Sequence, residues 1–373
     1  MDPVSQGLVG SVACQIISNK KKLLVITVIS FLSALAPDLD IFIRSEDDPI
    51  LFLEFHRQFT HSLIFIPIGG LLCALFFNLF IPKVLNMPFK HIYIICTLAY
   101  GTHGILDAFT SYGTQLLWPF TDERIAWHLI SVIDPIFTIP ILLFIMTAVI
   151  KNKKLYSYFA LGWLVIYLLL SYIQQYRATI LINEIISQRN HFGTRLIVKP
   201  SFANIIVWKT LYESDNYYYI DAIRLTSNSK FIPGTKTKKL NIEESFPWLD
   251  RKSKQAIDIE RFKWFSDNYL SQSQKYPLQI MDVRFTSLPH TLSPLWSIEL
   301  DPEIDSSSHE IHGGFASLAK HTQVHPRNSI ITTHFECFSQ NACRREGLED
   351  HCRLQSKAHP LLSPKDHDLC VQW

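Results

Sequence analysis

Long apolar runs dominate the first 175 residues of the chain, and short polar clusters separate them. Each run is close to the roughly 20 residues that cross a hydrocarbon core of about 30 Å, or can be extended to that length by flanking lysines. Five runs are candidates for membrane-spanning helices: residues 23–36, 62–81, 91–110, 129–150 and 155–173. The pattern predicts about five transmembrane helices, preceded by a short, weakly apolar helix at residues 3–18. A buried helical bundle in a soluble protein is the alternative, and the number of runs favours the membrane.

Beyond about residue 175 the apolar period changes from helical to alternating. The segments IIVWKTLYE and YYYIDAIRL, separated by SDN, predict a β-hairpin. Residues 253–265 predict a helix with Ile257, Phe262 and Phe265 facing inward, and LQIMDVRFTSL and LWSIEL predict two further strands. The fold class expected is therefore an α-helical membrane bundle followed by a smaller α+β extramembrane domain with antiparallel strands.

Three segments follow from this division: a transmembrane metal-site domain at 1–175, a soluble α+β domain at 176–303 and a tail at 304–373. The tail holds eight of the 15 histidines and four of the seven cysteines, and its apolar pattern is poor. Disorder is the favoured interpretation, with disulfides, a zinc site or an aberrant reading frame as alternatives. The soluble domain carries no catalytic motif, and it covers the site or recruits a protein partner whose identity is open.

Charge sets the expected orientation. The net charge is only +2, so nothing points to nucleic acid as a partner. Eight lysines occupy alternate loops, whereas the opposite loops hold three arginines accompanied by acids. The positive-inside rule puts the lysine loops in the cytoplasm, and the opposite loops and the C-terminal domain on the periplasmic side of a bacterial inner membrane.

Unusual polar residues gather on that outer side. They are Asp38 and Asp40, His56, Arg57 and His61, His103 and Asp107, Arg124, and Asp134. Ionisable groups at membrane depth normally face the bundle interior and mark a functional site. His103 and Asp107 are four residues apart and share a helix face. Histidine and aspartate together suit a divalent metal, zinc or manganese above all, and can hold one or two ions.

The motifs resemble a known family. MDPVSQG, PDLD, HRQFTHS, HGILDAFTSYGTQLLWPF, a following arginine and IDPIFT occur in the order found in YdjM-type bacterial inner-membrane metal-dependent hydrolases, from residue 1 to about 150. VKPSFANIIVW, residues 198–208, resembles a segment of longer members. One position departs: Gln6 stands where the family has histidine. The resemblance implies a metal held by Asp38, Asp40, His56, His61, His103 and Asp107.

The types of the candidate ligands also indicate a reaction. A metal-activated water would attack a phosphoester or lipid-linked substrate at the bilayer surface. Arg57 and Arg124 are expected to bind the phosphate or carboxylate of that substrate, and Asp134 or Asp40 to act as general base. Two other functions stay open: a proton- or ion-coupled carrier, and a catalytically inactive membrane scaffold in which Gln6 marks lost catalysis. No internal repeat supports the carrier.

Overall fold

The computed structural model describes residues 1–18, 23–45, 48, 50–79 and 87–302. This part of the chain is an N-terminal helical region followed by a domain of antiparallel sheets. The helices are α1 Pro3–Ile17, α2 Leu23–Leu35, α3 Leu51–Phe55, α4 Ile66–Asn78, α5 Phe89–Ala108, α6 Pro135–Lys151, α7 Leu155–Gln188, α8 Ile242–Ser245 and α9 Lys254–Phe265. The strands are β1 Thr194–Pro200, β2 Val207–Ser214, β3 Tyr217–Arg224, β4 Lys230–Lys238, β5 Leu270–Gln272, β6 Gln279–Asp282 and β7 Ser297–Glu299. The predicted tail, residues 304–373, lies outside the described residues, as do Lys20 to Lys22 and Lys83, on which the predicted orientation partly rests.

The expectation of about five transmembrane helices is wrong. Within the described residues, two helical segments are long and apolar enough to cross a membrane, Leu23–Phe42 and Leu155–Gln188. A bent pair, Leu51–His61 with Leu63–Asn78, raises the number to three if it counts as one span.

The remaining apolar runs fall short for local reasons. The pair that contains α4 is bent by 57° at Ser62, next to His61. The apolar helices α1 and α6 have 15 and 17 residues, below the roughly 20 needed for a full span. Helix α5 has 20 residues, but Lys90 and His91 at its start and His103 and Asp107 near its end make it less apolar. Polar site residues therefore lie next to the bend at Ser62 and near the end of α5.

Helix α7 connects the helical region to the sheets. Its 34 residues would extend about 51 Å, well beyond a hydrocarbon core of about 30 Å. The C-terminal turns carry Ala178, Ile182 and Ile186, which pack against Trp208 and Tyr212 of β2. The predicted domain boundary after residue 175 falls inside this helix, and the domain limits stay a prediction.

The sheets agree with the strand pattern of the sequence. The predicted hairpin is confirmed: β2 and β3 pair antiparallel in a four-stranded sheet with the order β1-β2-β3-β4. A second antiparallel sheet contains β5, β6 and β7. The predicted helix is α9, but Ile257 is 54% exposed, and Ile259 is the inward residue beside Phe262 and Phe265. Ile257 was assigned from spacing alone, and the actual face is set by the cluster that α9 covers.

A short segment of the helical region is built into the second half of the chain. Ile50 and Leu53, at the start of α3, are buried in one cluster with Phe246, Ile259 and Phe262. Two ion pairs strengthen this contact, from Arg261 to Asp48 at 2.8 Å and to Glu54 at 2.6 Å. Since α3 directly precedes His56 and Arg57, the sheet domain fixes one end of the segment that carries the site.

Candidate metal centre

Separate helical segments bring the predicted ligands together. Asp38 and Asp40 lie on a 3-10 turn, Ala36–Phe42, which directly follows α2 and contains Pro37. His61 ends a short 3-10 turn, Phe59–His61, which follows α3. His103 and Asp107 lie on one buried face of α5. The six predicted ligands form two groups that share Asp38, namely Asp38, His61, His103 and Asp107, and Asp38, Asp40 and His56.

The first group surrounds one point. Asp38 Oδ1 lies 3.4 Å from His61 Nε2 and 3.2 Å from His103 Nε2. Asp107 Oδ2 lies 3.5 Å from His61 Nε2 and 3.8 Å from His103 Nε2. Among the described residues, the two Nε2 atoms are buried without a hydrogen-bond partner, and Asp107 Oδ2 is buried with Arg57 Nε 3.1 Å away.

This arrangement fits a bound cation. In a tetrahedral site with metal–ligand distances of about 2.0–2.1 Å, neighbouring ligand atoms lie about 3.3–3.4 Å apart. The four measured separations, 3.2 to 3.8 Å, lie close to that value. Buried polar atoms without partners are costly, and a metal would satisfy both Nε2 atoms at once. The side chain of Asp38 is 26% exposed, so the group is open on that side.

Contacts at the second ring nitrogen, Nδ1, orient both imidazole rings. His103 Nδ1 lies 2.5 Å from the carbonyl oxygen of Ala34, at the end of α2. His61 Nδ1 lies 3.0 Å from Thr60 Oγ1 and 3.3 Å from Asp40 Oδ2. A histidine that donates from Nδ1 presents Nε2 as the lone-pair donor, which is the form a metal needs. Thr60 and the Ala34 carbonyl carry no metal-ligand signal in the sequence, so sequence reasoning missed them.

Asp40 serves as an acceptor for several neighbours. Its Oδ1 lies 2.8 Å from His56 Nδ1, and its Oδ2 accepts from the backbone N–H of Arg57 and from Thr60 Oγ1. The same carboxylate faces His61 Nδ1. Asp40 and His56 therefore form a hydrogen-bonded pair beside the first group, and with Asp38 they make up the second candidate group.

Asp107 accepts the ion pairs and hydrogen bonds of several positive and polar groups of the site. Arg57 Nε lies 3.1 Å from Asp107 Oδ2, and Gln6 Nε2 donates to Asp107 Oδ1 at 2.9 Å. The buried amino group of Met1 forms an ion pair with the same Oδ1. Gln6, at the position of the family histidine, thus contacts a candidate ligand through its amide. Its Oε1 is buried without a partner among the described residues.

Arg57 connects the centre to the sheet domain. Its backbone is in the left-handed region with φ 67°, and its side chain reaches Thr110 Oγ1 at 3.3 Å. The guanidinium lies 5.3 Å from the centroid of Tyr112, whose ring stacks on Phe285 at 4.4 Å. The sequence indicated Arg57, whereas the Tyr112–Phe285 contact appears only in the tertiary structure.

Arg124 lies beside this centre but contacts no candidate ligand side chain. Its guanidinium donates to the carbonyl oxygens of Leu53, His56 and Gly113 at 3.3 to 3.5 Å. The side chain also stacks over Phe265 at 5.2 Å. Burial lowers the pKa of Arg124 to about 9, with Arg57 and Arg284 adding to the effect.

Asp134 is separated from the group by its partners. It caps the N-terminus of α6, where its side chain accepts from the backbone N–H of Phe137 at 3.3 Å. Its other oxygen accepts from the Tyr167 hydroxyl at 2.6 Å. Both carboxylate oxygens are therefore engaged in holding α6 against α7.

Gly104 lets the two histidines approach each other. A Cβ at this position would lie 2.3 Å from the carbonyl oxygen of His61, so α5 and the His61 turn touch through bare backbone. We expect Gly104→Ala to displace His61 from His103 and to weaken metal binding by about 10- to 100-fold, the range seen when a ligand loses its orientation. Metal affinity measured with a competing chelator tests this. Gly162→Ala is the matched control, because nothing lies within 4 Å of a Cβ there.

The comparison with known proteins agrees with the family resemblance that the motifs indicated. Over 105 residues the chain is 33% identical to YfhP of Bacillus subtilis (strain 168), which is described as an uncharacterized protein. That match covers 27% of this chain and 29% of YfhP, so the chain spans less than a third of its relative's length. No solved structure matches the chain. Residues 1–178 match the family model for the YdjM inner membrane protein, so the resemblance predicted from the ordered motifs is confirmed over this part of the chain.

Proposed function

We propose that the protein is a metal-dependent hydrolase of the inner membrane that cleaves a phosphoester in a lipid or lipid-linked substrate. One observation carries the proposal: His61 Nε2 and His103 Nε2 are buried, converge with Asp38 and Asp107, and have no hydrogen-bond partner within the described residues. A set of two imidazoles and two carboxylates suits zinc or manganese. A divalent ion there would polarise a phosphoryl oxygen and lower the pKa of a bound water.

His56 is the proton acceptor that the contacts support best. Its Nδ1 is paired with Asp40 Oδ1 at 2.8 Å, and its side chain is 23% exposed. This arrangement holds the ring in one orientation and leaves Nε2 to take a proton from an attacking water. It replaces the role expected for Asp134, whose oxygens are bound to Phe137 and Tyr167.

Arg57 is suited to the anionic part of the substrate. The planar guanidinium uses Nε on Asp107 and Nη1 on Thr110. In the described part of the chain, Nη2 has no hydrogen-bond partner and can donate to a phosphate oxygen. Asp38, the most exposed ligand candidate, lies on the side from which the substrate would enter.

The membrane position supports a lipid substrate. The group lies at the ends of α2 and α5, and the sheet domain follows on the same side of the helices through α7. By the positive-inside rule this side is periplasmic, and we include that orientation in the proposal. A site at this level meets headgroups of the outer leaflet.

Replacing His56 with alanine is expected to slow hydrolysis by about 10²- to 10⁴-fold, because a general base is lost. The metal held by the first group should stay bound, since His56 is not one of its four residues. The measurement is inorganic phosphate released from phosphatidic acid in detergent micelles, with zinc or manganese added to purified protein.

His91→Ala is the matched control, because His91 is an exposed histidine at the start of α5. Metal-dependent release by the unmutated and His91→Ala proteins, and its loss in His56→Ala, would support the function. Bound metal with no release from any phosphoester or diphosphate lipid would reject the proposed reaction.

A further inference from the structure

Two lysines of the first sheet are buried side by side. Lys199 of β1 and Lys209 of β2 are register partners, and their residues are 8% and 3% exposed. Lys209 Nζ donates to the carbonyl oxygen of Val283 and to Thr286 Oγ1, each at 2.8 Å. Lys199 Nζ lies 3.6 Å from the centroid of Phe285. Within the described residues, no carboxylate pairs with either ammonium group.

The neighbouring charges do not compensate them. Asp282 is the acid whose charge acts on both lysines. Its carboxylate is already bound by Arg284, through Nε at 3.0 Å and Nη2 at 2.7 Å. His128, on the loop that precedes α6, has a buried Nδ1 without a hydrogen-bond partner in the described part of the chain. In the cluster of Lys199, Lys209, Arg284 and His128, the charge of Arg284 is therefore neutralised by Asp282. The other three residues leave an excess of hydrogen-bond donors.

Burial without compensation disfavours the charged lysines. It lowers the pKa of Lys209 to about 7, and it lowers the pKa of Lys199 well below its ordinary value, with Lys209 and Arg284 adding to the effect. The pKa of His128 falls to about 3 because of burial and the same positive neighbours. An anion among these groups would restore charge balance and give the free donors an acceptor.

We propose that Lys199, Lys209 and His128 form an anion-binding site for a phosphate group at the junction of the first sheet and the loop before α6. Two ammonium groups with an imidazole provide charge and donors for a multiply charged, multi-oxygen anion. Gln175 of α7 holds this junction, donating to the carbonyl oxygens of His128 and Val198 at 3.3 and 3.2 Å. The site uses none of the candidate metal ligands and goes beyond the proposed hydrolase.

The site adjoins the metal centre through aromatic contacts. Phe285 carries Lys199 over its ring and stacks on Tyr112, and Tyr112 lies against Arg57. These contacts form a series of side chains from Asp107 through Arg57, Tyr112 and Phe285 to Lys199. A phosphate bound at Lys199 would lie at the sheet-domain end of that series. The phosphate could be a free ion or part of a lipid headgroup, since both present the same oxygens.

The test measures thermal unfolding of the full chain in detergent, with a chelator present so that no metal centre binds phosphate. Inorganic phosphate and a short-chain, water-soluble phosphatidic acid are titrated separately against chloride at equal ionic strength. We expect at least one of them to raise the unfolding midpoint in a saturable manner. We expect Lys199→Met to weaken that binding by at least about tenfold.

Lys252→Met is the control, because Lys252 is an exposed lysine of the same domain. Methionine at position 199 removes an uncompensated charge, so this variant is expected to fold, and Lys199→Arg provides a second variant that should retain binding. A shift with inorganic phosphate identifies the free ion as sufficient, and a shift with the lipid alone identifies a headgroup. No shift with either, or equal shifts in Lys199→Met and Lys252→Met, would overturn the site while leaving the hydrolase proposal intact.

Discussion

Replacing His61 with alanine is expected to remove the bound metal from the protein. His61 Nε2 lies 3.4 Å from Asp38 Oδ1 and 3.5 Å from Asp107 Oδ2, so it is one of four converging ligand atoms. Its loss leaves three ligands and opens a buried space beside Asp107. We expect elemental analysis to find about one equivalent of a transition metal in the unmutated protein and less than about a tenth of that in the variant.

The matched control for this measurement is His91→Ala, which removes an exposed histidine and should retain the metal. Residues 304–373 contain eight histidines and four cysteines that could bind metal themselves. The full chain and a chain ending at residue 302 are therefore measured in parallel. Equal metal in the His61→Ala and His91→Ala proteins, in both lengths, would remove the basis of the proposed centre.

Replacing Arg124 with methionine is expected to destabilise the protein by about 3 kcal/mol. The guanidinium satisfies the carbonyl oxygens of Leu53, His56 and Gly113, and it stacks over Phe265 and Trp264. Methionine keeps part of the packing but leaves these carbonyls without their donor. Each unsatisfied buried polar group costs about 1–3 kcal/mol, and recovered desolvation of the cation offsets part of the sum.

Denaturant unfolding followed by tryptophan fluorescence measures this effect, with Arg224→Met as the control because Arg224 is exposed at the end of β3. The result also decides between two roles. A stability loss would assign Arg124 to holding α3 and His56 in position. Unchanged stability with lost phosphate release would instead support the role in substrate binding that the sequence suggested.

The sequence by itself indicated the family resemblance and the candidate site residues. The ordered motifs identified the YdjM family over residues that the family model matches. Helical spacing correctly put His103 and Asp107 on one face, because residues four apart always lie together on an α-helix. Alternation and turn residues also identified the β2–β3 hairpin, since both are encoded locally.

Tertiary structure alone decided how many apolar runs are spans. An apolar run indicates that a segment avoids water, but the segment can do so equally well in lipid or in the protein interior. The bend at Ser62 and the short lengths of α1 and α6 are seen only in the structure. The count of about five was wrong for this reason.

The roles within the centre also depend on the assembly. Whether an aspartate faces a metal or holds a histidine is decided by which oxygen meets which neighbour, and sequence spacing does not contain that information. Asp38 and Asp40 are two residues apart, yet Asp38 faces His61 Nε2 and His103 Nε2, whereas Asp40 binds His56, Thr60 and the Arg57 backbone. Long-range packing likewise decided that α3, next to His56, is buried with residues more than 190 positions away, because hydrophobic clusters form between any segments that the fold brings together.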